Sequence, residues 1–330
     1  MMLDRNPETR SVADAAAPVV GSEPLVTVIL PVFGRNQFLD QAIQSVLGQT
    51  HRNLQLIVVD DGSPVDPIPR EARFEDRIEV YRKVNGGPAS ARNFGLARAR
   101  GDFLLFLDDD DFLEPRAVEA LLKPMDGRPD VAWVAGRLAY VDEQGRLLQH
   151  FHPCQIRSGD VYAAMIRDNL IGTPSSVLLR TEVIRALGGF DEDPRYQFCE
   201  DYDLWLTMAR DFPIVAIPEV VSNYRYHAGN ATRQWARHYP AWLATLDKHR
   251  QRASPGLEPA FQFAIARVHL DFGDEFYVHG RHAEARQQWC QGSKADPQLR
   301  KGLWWRYSKS FLPPGLLRLL RGFQRRTSGV

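Results

Sequence analysis

Four consecutive carboxylates, Asp108-Asp109-Asp110-Asp111, are the residues of this chain best suited to chemistry. Like charges so close repel strongly unless a cation or hydrogen bonds compensate them. Their hard oxygens suit Mg2+ or Mn2+, and a metal shared with phosphates needs few protein ligands. The plainer alternative is a solvated acidic turn followed by Glu114. The wholly apolar run before it, Phe103-Leu104-Leu105-Phe106-Leu107, favours a site, because it sets the acids on a buried, rigid platform. Asp60-Asp61-Gly62-Ser63 follows a second apolar run. It reads either as an Asx-type turn with Gly62 at positive φ or as carboxylates facing a nucleobase or ribose. Glu200-Asp201 opens a helical stretch, where acids either complement the helix N-terminus or supply a general base. His227 stands just after a strand and, taken alone, reads as a structural or merely exposed histidine.

The elements that must position these groups are legible in hydrophobic periodicity. Residues 25–33 (LVTVILPVF) and 54–59 (LQLIVV) are buried strands. The apolar residues between them, from Phe38 to Leu47, recur at helical spacing and stop at Gly48. Strand, helix and strand make a βαβ unit, right-handed by strong preference. The pattern repeats: a strand at Ile78–Tyr81, a turn at Gly86-Gly87-Pro88, a helix at 89–100 and the strand at 103–107. This predicts half of a doubly wound α/β sheet, whose ligands sit beyond the carboxyl ends of its strands. Three polar clusters fall at such ends: after Phe33, at Asp60-Asp61 and at Asp108–Asp111. Farther on, strands are expected at 131–140, 176–179, 214–217 and 220–226, with a helix at 200–210. Beyond about residue 230 the pattern is helical, and Gly280–Pro297 has the small/large spacing of one tetratricopeptide-like helix pair.

Composition excludes several classes. The 330 residues hold 41 Lys+Arg and 41 Asp+Glu, and this zero net charge argues against nucleic-acid binding. Three cysteines, Cys154, Cys199 and Cys290, are widely spaced and form neither a disulfide framework nor a zinc pattern. No GxGxxG follows the first strand and no GxxxxGK[ST] occurs, which removes NAD-type and Walker-type sites. No apolar run is long enough to span a bilayer, and residues 1–24, polar and Ala/Pro-rich, read as a disordered tail rather than a signal peptide. A cytoplasmic location is expected, extending to the cytoplasmic face of a membrane.

Taken in order over residues 25–228, the motifs resemble the inverting family-2 glycosyltransferases with the GT-A fold, a Rossmann-like, doubly wound mixed sheet. The matching segments are Pro31-Val32-Phe33, Leu47-Gly48-Gln49-Thr50, Val58-Val59-Asp60-Asp61-Gly62-Ser63, Asn85 through Asn93, Gly101-Asp102, the acidic run, Gly188-Gly189-Phe190-Asp191, Glu200 through Trp205, and Tyr224-Arg225-Tyr226-His227. The resemblance implies a transfer from a nucleotide-diphosphate sugar, UDP-linked by preference, to a hydroxyl of a saccharide or lipid-linked acceptor. In its terms Asp61 and the backbone near Pro31 and Phe33 hold the base, with Asp60 supporting that loop. Arg92 and Asn93 lie near the ribose or diphosphate. Asp108 and Asp110 form the DxD pair, Asp110 contacting Mn2+ or Mg2+ directly and Asp109 facing the ribose or sugar. His227 completes the metal or diphosphate site in a closed form. Asp201 is the base with Glu200 as the alternative, and Thr173, Gly189 and Trp205 border the acceptor pocket. The competing readings are a sugar-nucleotide nucleotidyltransferase, disfavoured by the glycine-poor segment after the first strand, and a non-catalytic nucleotide-sugar binder.

A helical C-terminal region is expected from 229 to 330. Its end, residues 311–326 (FLPPGLLRLLRGFQRR), has the pattern of a basic amphipathic helix able to lie on an anionic membrane, or to dock on its own domain.

Overall fold

A computed structural model of the chain describes residues 23–34, 37–68, 76–148, 156–230, 234–299, 306–308 and 311. The expected N-terminal tail and the basic amphipathic segment therefore lie almost wholly outside the described residues. The first half alternates as the apolar pattern requires: β1 (Val26–Val32), α1 (Leu39–Leu47), β2 (Leu54–Asp60), β3 (Ile78–Arg82), α2 (Gly87–Leu96) and β4 (Phe103–Phe106). Every residue of β2 and β4 is buried, because helices cover both faces of the sheet. The second half adds β5 (Phe112–Leu113), α3 (Ala117–Leu122), β6 (Trp133–Val141), α4 (Tyr162–Arg167), β7 (Val177–Arg180), α5 (Thr181–Leu187), α6 (Glu200–Asp211) and β8 (Val215–Arg225). The helical end comprises α7 (Trp235–Arg250), α8 (Glu258–Val278) and α9 (His282–Ala295).

The eight strands form one mixed sheet in the order β3-β2-β1-β4-β7-β6-β8-β5. The strands β3, β2, β1 and β4 are mutually parallel, β7 runs against both β4 and β6, and β8 is parallel to β6. Two reversals restore the original direction, so the carboxyl ends of β1, β2, β4, β6 and β8 share one edge. That edge receives the Asp60-Asp61 turn, the acidic run and the segment after Arg225.

The two strands expected at 214–217 and 220–226 are a single strand, β8, whose register against β6 shifts on either side of Arg137. Pro218 lacks an amide donor and would break a regular ladder, and the shift accommodates it. The segment 280–297 forms not a helix pair but one helix, α9, paired with the preceding α8. Close approach explains the small residues there: a Cβ on Gly273 would meet the Trp289 ring at 2.2 Å, and one on Gly292 would meet the Ala266 carbonyl at 2.9 Å. One hydrophobic cluster runs from Ile29 and Phe106 on the sheet, through Tyr202 and Trp205 on α6, to Leu246 on α7 and Phe261 on α8. The helical end therefore shares its core with the sheet. Among the described residues, no helix is long and apolar enough to cross a membrane.

Candidate active site

The acidic run leaves β4 with its backbone already anchored: Leu107 N–H donates to the Ile29 carbonyl at 2.9 Å. From there the four carboxylates take different positions. Asp111, 1 % exposed, accepts from Thr173 Oγ1 and Ser175 Oγ, each at 2.8 Å, and from the Arg225 amide at 3.1 Å. Burial, then the charges of Asp110 and Asp108, push its carboxyl well above the usual carboxylate range. It serves as an internal strut. Thr173, 1 % exposed, belongs to that strut rather than to an open pocket wall. Asp109 is also buried. Asp108 keeps about a quarter of its side chain exposed and faces the cleft. Burial raises its pKa first, with Arg92 opposing and Asp110 adding to the rise.

Arg92, on the buried face of α2, joins the two halves of the site. One guanidinium nitrogen donates to Asp108 Oδ1 at 2.8 Å and the other to Glu200 Oε1 at 2.8 Å. The Phe190 ring lies 5.3 Å from the guanidinium carbon. Both carboxylates hold its proton more firmly than usual, although burial works against the charge. Glu200 has its second oxygen occupied too, by the Phe198 amide at 2.9 Å. Phe198 has φ +80, a left-handed conformation unusual for a bulky residue and a local store of strain just before α6. Asp201, next in line, is partly exposed and accepts one amide, Tyr202 N–H at 2.7 Å. Burial, then the neighbouring Glu200 charge, lift its pKa to about 7 against the pull of Arg92. Of the two acids, Glu200 is therefore committed to structure and Asp201 is poised to exchange a proton near neutrality.

The nucleotide-side residues are arranged differently from the expectation. Asp60 accepts the Ser63 amide at 2.8 Å. Asp61 is 3 % exposed and saturated: Oδ1 takes Lys83 Nζ at 2.7 Å and Gly86 N–H at 3.0 Å, and Oδ2 takes Gly87 N–H at 2.7 Å. Gly86 N–H also reaches Oδ2 at 3.2 Å, so the roughly four lone-pair directions of this carboxylate are engaged, and a base would have to displace one of these contacts. Asp61 here caps the N-terminus of α2 from across the chain. Asn93 likewise clamps rather than faces the cleft. Its amide donates to the Phe190 carbonyl at 2.8 Å and accepts the Phe190 amide at 2.9 Å. This forces Gly189: its φ is +77, and a Cβ there would stand 2.4 Å from Asn93 Oδ1. Pro31 is half-buried at the end of β1, and Phe33 beyond it is 52 % exposed, an apolar face beside the Asp61 turn. Trp205 is wholly buried and stacks on Trp133 at 6.1 Å, so it underlies the site and offers no surface to an acceptor.

On the far side, Gly229 N–H donates to His227 Nδ1 at 3.1 Å, and Nε2 lies 2.9 Å from Asp110 Oδ2. An Nδ1 that accepts a hydrogen bond leaves the ring proton on Nε2, so His227 donates to Asp110 and orients it. In this conformation it presents no lone pair to a metal. Asp108 and Asp110 supply the hard oxygens that Mg2+ or Mn2+ prefers. Among the described residues no three His, Cys, Asp or Glu side chains converge as a metal-ligand group. Such a pair fits a cation that completes its shell with ligand oxygens and water.

Three contributors were given no individual role by the sequence, although Arg225 stood in a matched segment and Ser175 in a stretch expected to border the acceptor pocket. Arg225, 1 % exposed, donates to the Asp110, Glu143 and Asp142 carbonyls and to Gln41 Oε1. Asn230 accepts the His227 amide at 2.6 Å and donates to the Arg225 carbonyl at 3.0 Å. Ser175 holds both the Asp108 amide and the Asp111 carboxylate. From Asn223 onward burial alternates, with Asn223, Arg225 and His227 buried and Tyr226 exposed, which turns Arg225 inward with His227.

A mixed α/β sheet with acids at the carboxyl ends of its parallel strands, and a second acidic pair on α6, gathers its candidate groups at the edge where open α/β sheets bind ligands. The model of glycosyl transferase family 2 matches residues 27–187. An uncharacterized glycosyltransferase of Rickettsia prowazekii is 30% identical over 235 residues, 68% of this chain and 72% of that protein. The chain belongs to glycosyl transferase family 2. Another such protein, from Rickettsia conorii, is 30% identical over 241 residues; the match spans 72% of this chain but only 39% of that protein's length. The fold is shared with solved structures of low identity. One is a mannosyltransferase from Pyrobaculum calidifontis in complex with GDP-Man and Mn2+, with TM-score 0.57, 18% identity and coverage of 87% of this chain and 81% of that one. Another is S. aureus TarS 1–349 in complex with UDP-GlcNAc, with TM-score 0.55, 15% identity and coverage of 84% and 92%. These likenesses bear out the mixed-sheet GT-A architecture.

Proposed function

We propose that the protein transfers a sugar from a nucleotide-diphosphate donor to an acceptor hydroxyl in one displacement, inverting the anomeric centre. The observation that carries this reading is the Arg92 bridge from Asp108, in the acidic run, to Glu200, whose chain neighbour Asp201 has a pKa of about 7. Asp201 takes the proton of the acceptor hydroxyl as its oxygen attacks the anomeric carbon opposite the diphosphate. A carboxylate with its pKa near the working pH combines a useful basic population with good driving force. Asp108 and Asp110 would hold a divalent cation, with His227 fixing the orientation of Asp110. Such a cation, when bound, neutralises charge on the departing diphosphate. Glu200 and Arg92 keep the two sides in register. Asp109, buried in the run, stiffens the loop below the donor.

The donor nucleotide lies between the Phe33 face and the Asp60-Asp61 turn, and the acceptor is a saccharide or lipid-linked hydroxyl entering near Gly189. The neighbours in fold hold UDP-GlcNAc or GDP-Man, so the test is a panel of UDP- and GDP-linked sugars with and without Mn2+, read as nucleoside diphosphate released. Release from at least one donor, lost on exhaustive chelation and restored by Mn2+, is expected. Absence of release from every donor, or full release after chelation, would overturn the reading or its metal. Pyrophosphate release from sugar phosphates and nucleoside triphosphates would point to a nucleotidyltransferase instead.

A further inference from the structure

The helix α7 lies outside the region matched by the family, yet it reaches Asp203, in the same first turn of α6 as Glu200 and Asp201. Four of its residues face α6 and the loop leading into it. The Cys199 thiol lies 3.8 Å from the His238 carbonyl, and Trp242 meets the Tyr202 ring edge-on at 5.9 Å. About two turns after Trp242 come Lys248 and His249. Lys248 Nζ donates to Asp203 Oδ2 at 2.7 Å and to Asp191 Oδ2 at 2.8 Å, and stands 4.5 Å over the Tyr196 ring. His249 Nε2 lies 2.9 Å from the other Asp203 oxygen. Asp203 and His249 are 4 % and 2 % exposed. Asp203 is in the first turn of α6, two residues after Asp201. Asp191 follows Gly188-Gly189-Phe190, the loop that Asn93 clamps from the other side.

We infer that Lys248 is a positioning residue that sets the acceptor side of the active site, tying the 188–196 loop to the helical turn that carries Asp201. It touches neither Asp108 nor Asp110, so it acts on one half of the cleft. A single ammonium shared by two carboxylates fixes the separation of the segments bearing them. With Lys248 removed, Asp203 keeps His249, while Asp191 loses its tie to α6 and the loop keeps its Asn93 clamp, the buried Phe190 and the Asp193 amide on Asp191. The acceptor then meets a looser wall beside a base whose own helix is intact. This inference rests on Asp201 as the base and adds a chain segment beyond the family-matched region to the acceptor site.

The test compares Lys248→Met, Lys248→Arg and Asp191→Asn with the unaltered protein. Donor-side integrity is read by titrating UDP with Mn2+. Acceptor-side function is read as KM and kcat for an alkyl glycoside, with the donor chosen by the panel above, alongside hydrolysis of that donor by water. The expected result for Lys248→Met is a rise in acceptor KM of about tenfold, with UDP affinity and donor hydrolysis within about twofold of normal. Lys248→Arg, which can also bridge two carboxylates, restores most of the acceptor KM. Asp191→Asn reproduces the effect while leaving the Lys248–Asp203–His249 knot in place, which guards against general unfolding. An unchanged acceptor KM in both Lys248→Met and Asp191→Asn overturns the inference, as does a parallel fall in UDP affinity. Failure of the underlying reading is seen separately, as a normal rate in Asp201→Asn.

Discussion

Replacing Asp201 by Asn removes a proton acceptor and relieves a buried charge, so activity and stability are expected to move in opposite directions. The pKa of Asp201 is raised from 3.8 to about 7. A group raised in the folded state contributes stability that is fully present below its unfolded pKa and is lost as pH rises through the folded value. Above about pH 7 the ionised Asp201 therefore weighs against folding, and at about pH 4 it does not. A shift of roughly three units corresponds to at most about 4 kcal/mol at about 1.4 kcal/mol per unit. Asp201 is partly exposed, and solvent screening reduces the expected effect to about 1–3 kcal/mol. The assay is urea unfolding of both proteins at about pH 5 and about pH 8. The Asn variant should gain about 1–3 kcal/mol on the unaltered protein between the two, while turnover falls on the order of 10²–10⁴-fold. The activity of the unaltered protein should rise with pH through about 7. A stability difference that is the same at both pH values would refute the electrostatic reasoning, and normal turnover would refute the assignment of the base.

The other expectations are more compact. Arg92→Met leaves Asp108 and Glu200 facing each other without a cation, and should lower stability by about 3–5 kcal/mol in urea unfolding; a change under about 1 kcal/mol would mean the bridge is not formed in solution. Gly189→Ala meets both a left-handed backbone and the Asn93 carbonyl oxygen, and should cost about 1–3 kcal/mol in thermal or urea unfolding, whereas Gly188→Ala, with no atom within 4 Å of a Cβ, meets the backbone strain alone. Asp110→Ala should abolish the Mn2+ dependence of UDP binding in calorimetry, and an unchanged metal response would assign the cation elsewhere. For the basic segment at 311–326, the sequence predicts sedimentation with anionic vesicles that a chain ending near Ser310 lacks; equal behaviour of the two would end the membrane idea.

The strands β1, β2 and β4 were legible because each is a predominantly apolar run ended by glycine or acid, and that pattern has few other solutions. β5, two residues long, carries too little pattern to be seen, and Pro218 disguised one bulged strand as two. The position of the site was legible for the same reason as the strands: its acids follow them. The roles of individual acids were less so. Which of Asp60, Asp61, Glu200 and Asp201 is committed to structure depends on amides and cations from distant segments, such as Lys83 for Asp61 and Arg92 for Glu200. Nothing in local spacing encodes those partners. Arg225 stood in the motif with His227, but its bonds to the acidic run, α1 and the turn after β6 arise only when β8 lies beside β5 and β6.

The bridge through Arg92 also bears on how such a site can diverge. Three strands, β5, β6 and β7, lie between Asp108 and Glu200 in sequence, yet one guanidinium bridges both. Loss of Arg92 leaves two carboxylates facing each other without a cation, and loss of either acid leaves one branch of the guanidinium without its acceptor, so the three residues are not free to drift singly. A lineage that recruits a new acceptor can vary the loops around Gly189 and the α7 face. Altering the register between donor and base would require two or three coordinated replacements, and a double-mutant cycle between positions 108 and 200 would measure that linkage directly.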